Sequence, residues 1–93
     1  MKYTVHYSSR FEKSLKRVKQ LVGFKSSRLK TAIRLLSKGE ALPADFRDHK
    51  LTVNLKDFRE CHLSPDILLL YQIDDGVLVL TLVSIGNHSQ LFK

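Results

Sequence analysis

Cysteine is nearly absent. Cys61 stands alone among 93 residues, which excludes an intramolecular disulfide and makes a reducing, cytoplasmic setting the expectation. The four glycines lie apart, at 23, 39, 76 and 86, so no glycine-rich loop can wrap a nucleotide's phosphates. Long apolar runs are missing too. The longest is "ILLLY", too short to cross a bilayer, and "MKYTVHYSSRFEKS" lacks the apolar centre of a secretory signal; neither export nor a membrane partner is expected. Zinc-type spacing is also missing: no HExxH or CxxC pattern occurs, so no metal or other cofactor is expected.

Acidic residues are scarce in one half of the chain. Residues 1–40 carry eleven Lys and Arg against Glu12 and Glu40, whereas residues 41–93 carry five against seven acidic residues. Such asymmetry points to a polyanionic partner, nucleic acid or an acidic protein, although a solvated helix face would look the same. With 43% hydrophobic and 27% charged residues, the composition is that of a folded chain, and 93 residues suffice for one core, residues 1–93 forming a single domain.

"KYTVHY" alternates as a strand does. Ser9 and Glu12 have capping-box spacing, and Phe11, Leu15, Val18 and Val22 then recur with helical period, with Gly23 placed as terminator. A second helix is predicted from a cap at Ser26 or Ser27, with Leu29, Ala32, Ile33 and Leu36 as its stripe and Gly39 after its last turn. Both helices are basic outside, and their short connection predicts an antiparallel pair. Beyond Pro43 the period changes. "DFRECHL" and "DILLLYQI" flank Ser-Pro, and Asp75-Gly76 predicts a two-residue hairpin before "VLVLTLV". The expected fold is α+β: an antiparallel sheet with an N-terminal β-α-α unit followed by a three-stranded meander. The last two strands are apolar at both parities, so both sheet faces need cover.

Chemistry concentrates in "DHKLTVNLKDFRECHLSPD", residues 48–66, which holds His49, His62 and Cys61, with His88 near the C-terminal Leu-Phe. If Ser-Pro is a turn, His62 and Asp66 share one hairpin end, where a carboxylate can orient or charge an imidazole suited to proton transfer near neutrality. Asp66 supporting only its own turn, and histidines serving packing or surface roles, are the competing readings. Cys61 reads as a small core residue, since His62, next to it on a strand, points to the other face.

The motifs "DHKL", "FRECHLSPDILLLYQI" and "IGNHSQLF" together resemble the YafQ-type branch of the RelE/ParE toxin superfamily, over almost the whole chain. The resemblance implies a RelE-like fold and the toxin of a type II toxin-antitoxin system. It implies a metal-independent endoribonuclease, an mRNA interferase that cleaves mRNA in the ribosomal A site, inhibits translation and is neutralised by a cognate acidic antitoxin in a hetero-oligomer. Carried over by motif, His49, His62, Asp66 and His88 match the catalytic positions and Phe92 the terminal aromatic that holds substrate. Arg59 and Lys56 are the cations expected near the phosphate, and the basic helices match the surface that meets ribosomal RNA. Ser84 stands where relatives often carry arginine. The alternative is a non-enzymatic inhibitor or binding protein on the same scaffold, of the gyrase-directed or catalytically weakened kind; three histidines near one carboxylate favour the enzyme.

Overall fold

The structure is a computed structural model that describes residues 1–51 and 58–91. Strand β1 (Thr4–Tyr7) leads into helices α1 (Ser9–Val18) and α2 (Ser26–Ser37). A 3-10 turn at Ala44–Phe46 precedes β2 (His49–Lys50), and β3 (Phe58–Ser64), β4 (Ile67–Asp74) and β5 (Val79–Gly86) form the meander, followed by the one-turn helix α3 (His88–Leu91). Among the described residues the sheet runs β1-β5-β4-β3-β2.

The α+β class and the meander stand as expected, but the sheet is mixed. β1 lies parallel to β5, with Val5 opposite Leu80, while the other neighbours pair antiparallel. The cause is topological: two helices separate β1 from the meander, and a crossover of that length can return the chain in the parallel sense. The two-residue β2 was not foreseen.

Local boundaries also differ. The cap of α1 is Ser8, one residue before Ser9; its hydroxyl accepts from Phe11 N at 3.0 Å and donates to the Val83 carbonyl at 2.9 Å, fastening the helix start to β5. The helix ends at Val18, not near Gly23, and Val22 is fully exposed. Turning early lets Phe24 reach the core. Neither Ser26 nor Ser27 caps α2, since Lys25 occupies that position without a side-chain bond. Gly39, at φ +78°, closes α2 as expected, in a conformation that favours glycine. The final hairpin turns over four residues, 75–78, instead of two, because the Asp74 carboxylate takes the amide of Gly76 at 2.9 Å and Leu78 adopts φ +55°.

Alternation sorts the strands into two faces. Cys61, Leu63, Leu69, Tyr71, Leu80 and Leu82 pack with Phe11, Val18, Leu29, Ala32 and Leu36 of the helices as the main core. On the opposite face Leu68 and Leu70 pack with Leu91 of α3, with Leu51, Phe58 and Val83 beside them. The second apolar face is thus partly covered by the chain itself, and this face carries the histidines.

Candidate active site

Cross-strand partners share a face. His49 lies opposite Glu60, Glu60 opposite Leu70, and His62 opposite Leu68. Two histidines and a glutamate therefore stand together on the helix-free side of the sheet. The His49 and His62 rings are 6.3 Å apart, centre to centre.

His49 is oriented at both nitrogens. Its Nδ1 lies 2.7 Å from the Arg47 carbonyl, which can only accept, so this nitrogen carries a hydrogen. Nε2 then faces Glu60 Oε1 at 3.3 Å. That contact is an ion pair whenever the ring carries both protons. Arg47 supplies its carbonyl from a left-handed conformation, φ 50°, at the end of the 3-10 turn, uncommon for a residue with a β-carbon and an instance of strain beside a site.

Glu60 is buried, at 3% exposure. Its Oε2 has no hydrogen-bond partner among the described residues. A buried, half-satisfied carboxylate is costly to a fold.

His62 is half-buried. Burial holds its imidazole below the ordinary histidine range, against the pull of Glu60, and positive charge on Arg47, His49 and His88 pushes the same way as burial. The ring is consequently neutral at pH 7, the state a general base requires. His88, whose charge reaches His62, is exposed at the start of α3. That helix is fixed by a reciprocal cap: Asn87 Oδ1 accepts from Gln90 N at 2.9 Å, and Gln90 Oε1 accepts from Asn87 N at 2.9 Å. A β-carbon at Gly86 would lie 2.6 Å from that same Gln90 oxygen, so a larger residue there would displace the cap.

The structure gathers His49, His62 and His88 in one neighbourhood. Asp66 is exposed in the turn at 65–66, and Glu60 is the carboxylate whose charge acts on His62. Arg59 alternates to the other face, where its guanidinium meets Asp48 at 2.8 Å and the Tyr71 hydroxyl at 3.3 Å. Asp48 also accepts from Tyr71, and burial, then Asp48, raises the tyrosine's pKa far above its ordinary value. Arg59 is thus neutralised within a structural network. Lys56 and Phe92 lie outside the described residues. Cys61 is fully buried and its thiol is pushed up to about 12, chiefly by burial, so it is no nucleophile.

Three residues escaped the sequence reading. Glu60 was legible in principle, because Glu-Cys-His places Glu60 and His62 two apart on a strand and so on one face. Arg47 and Arg28 carried no such signal. Arg28, read as surface charge, donates to the carbonyls of Leu63 and His62 at 3.1 Å each, pairs with Asp45 at 2.8 Å and stacks on Phe46 at 3.7 Å. It clamps α2 to the end of β3 and to the turn before His49. Arg28, Arg47 and His62, with Asp45, Ser64 and Pro65, line one pocket.

Among the described residues no three His, Cys, Asp or Glu side chains gather as a metal-binding set. No helix of the described residues is long and apolar enough to cross a membrane.

Comparison with known proteins places the chain. Residues 3–93 match the model of a family described as bacterial toxin of type II toxin-antitoxin system, YafQ. The chain is 33% identical over 89 residues to the mRNA interferase toxin YafQ of Escherichia coli strain B, covering 95% of this chain and 94% of that protein. A metal-bound toxin from Helicobacter pylori superposes with TM-score 0.87 at 42% identity, over 97% of this chain and 99% of that one. YafQ in the E. coli DinJ-YafQ complex superposes with TM-score 0.84 at 30% identity, over 98% and 99%. This chain belongs to the YafQ family of bacterial toxins of type II toxin-antitoxin systems.

Proposed function

We propose that the protein is an mRNA interferase that cleaves mRNA in the ribosomal A site, acts in the cytoplasm, and is silenced by an acidic antitoxin in a hetero-oligomer. The observation that carries the reading is one sheet face holding His49, His62 and a buried Glu60, with His88 close enough to act on His62. The related toxin captured with DinJ supports the antitoxin.

Attack of an RNA 2′-hydroxyl on its own phosphate needs a base, charge for the phosphorane and an acid. His62, neutral through burial, takes the hydroxyl proton as the O2′–P bond forms. His49, held against Glu60, and Arg47 at the pocket rim offset the phosphorane's charge. His88 gives its proton to the departing O5′ as the P–O5′ bond breaks. The products are a 2′,3′-cyclic phosphate and a 5′-hydroxyl. Asp66, at the hairpin tip, contacts the bound RNA from the rim and is not the partner of His62. Lys56 and Phe92 complete the substrate contacts, Phe92 by stacking on a base.

The test is cleavage of a defined mRNA on translating ribosomes. Wild type cuts, and His88→Ala, still folded by circular dichroism, loses about 10²–10⁴-fold in rate. A wild type that arrests growth but cuts no RNA would instead support the binding-protein alternative.

A further inference from the structure

A second charged feature lies along α1. Arg10, Lys13 and Arg17 fall at helical spacing on one face and, with Ser9, Ser84 and Gln90, line a groove. Among the described residues no carboxylate and no large apolar side chain lines it. The groove has rigid walls. Ser14 Oγ accepts from Ile85 N at 3.1 Å, tying α1 to β5, and Arg10 donates to the Leu91 carbonyl at 2.7 Å, tying α1 to the helix that begins with His88. Along the sheet, Ser84 lies opposite Leu70, whose other neighbour is Glu60. Two strand spacings of about 4.8 Å put Ser84 about 10 Å from Glu60.

A lining of cations and hydroxyls suits a phosphodiester better than an amphipathic peptide, which needs apolar anchors. Those anchors occur elsewhere: the groove between β1 and α2 combines Lys30 and Arg34 with Tyr3, Val5, Tyr7 and Ile33. We propose that the α1 groove seats a phosphate of the bound RNA strand that flanks the scissile linkage, with Lys13 and Arg17 supplying the charge and Arg10 a hydrogen bond. The proposal rests on the RNA-cleavage reading and adds a subsite to it.

The test measures binding of a non-cleavable 2′-O-methyl RNA oligonucleotide across a salt series. Lys13→Ala/Arg17→Ala is compared with wild type, with the charge-matched Lys30→Ala/Arg34→Ala, and with the charge-preserving Lys13→Arg/Arg17→Lys. The α1 double variant should bind about tenfold more weakly, with a log–log salt slope shallower by about 0.7, the increment for one phosphate of a single strand. The α2 control should stay within about twofold of wild type, and the charge-preserving pair should restore binding. Equal losses in both alanine variants would reveal general attraction without a subsite and overturn the proposal. So would unchanged binding by the α1 variant, or absence of salt-dependent binding by wild type. Cleavage plays no part in this readout. Wild type that cuts mRNA while the α1 variant binds normally refutes the groove alone; wild type that cuts nothing while the α1 effect holds refutes the nuclease and leaves the groove.

Discussion

Replacing Glu60 with glutamine should separate activity from stability. The carboxylate is 3% exposed, one oxygen faces His49 at 3.3 Å, and the other has no partner among the described residues. At an effective dielectric of about 20, two unit charges at that distance attract by about 5 kcal/mol. His49 is about half exposed, with 48% of its side chain accessible, and solvent screening brings the net pair toward the ~1 kcal/mol of surface ion pairs. Burying the carboxylate costs several kcal/mol in opposition. The screened attraction does not exceed the desolvation cost, so Glu60→Gln, which keeps the shape and removes the charge, should lie within about 1 kcal/mol of wild type or above it in urea unfolding. Cleavage should fall about 10²–10⁴-fold, because His49 loses the carboxylate that faces its Nε2. The assays are equilibrium unfolding and single-turnover cleavage on mRNA-programmed ribosomes. Near-wild-type cleavage, or a stability loss beyond about 3 kcal/mol, would refute the reasoning, since Glu60 would then be a structural group.

Other outcomes follow from the same contacts. His62 is held below its ordinary value of 6.5, so the unfolded chain binds more protons between the two values; its contribution to stability is complete above 6.5 and is lost as pH falls through the lower folded value. Thermal unfolding of wild type should weaken over that window, and His62→Gln should flatten the dependence; the acid limb of cleavage should likewise lie below the ordinary histidine range. Arg28→Ala removes the bonds to Leu63 and His62 and the stack on Phe46, and should cost about 2–3 kcal/mol in urea unfolding and slow cleavage through His62, with Arg28→Lys failing to restore either. Tyr71→Phe leaves Asp48 and Arg59 with one fewer partner; it should cost about 1–2 kcal/mol in the same unfolding assay while leaving cleavage near wild type, because that network lies on the other face of the sheet.

The meander and both helices were legible because period and turn residues coincide there: Leu29, Ala32 and Leu36 are buried as their spacing demands, and Pro65 falls in the turn between two well-patterned strands. The parallel placement of β1 was not, because pairing across a helical crossover leaves no local mark in "KYTVHY". Motif resemblance singled out His49, His62 and His88; the His49 and His62 rings lie 6.3 Å apart and the charge of His88 reaches His62. The resemblance carried no sign of Glu60. Asp66 is near His62 along a hairpin, yet the turn carries it out to solvent, whereas Glu60 reaches both rings through strand alternation and the β2–β3 register. Arg59 misled for a related reason: a cation in a motif says nothing of the aspartate that neutralises it, and Asp48 becomes its partner only once the strands pair.

The most direct measurement is the chemistry of the cut ends when one nucleotide at the cleavage position of a ribosome-bound mRNA is either ribose or 2′-deoxyribose. With ribose, wild type should leave a 2′,3′-cyclic phosphate and a 5′-hydroxyl, and the 2′-deoxy substitution should abolish cutting at that position. Ends bearing a 5′-phosphate, or undiminished cutting of the 2′-deoxy substrate, would contradict proton transfer by His62 and His88 to and from the RNA itself.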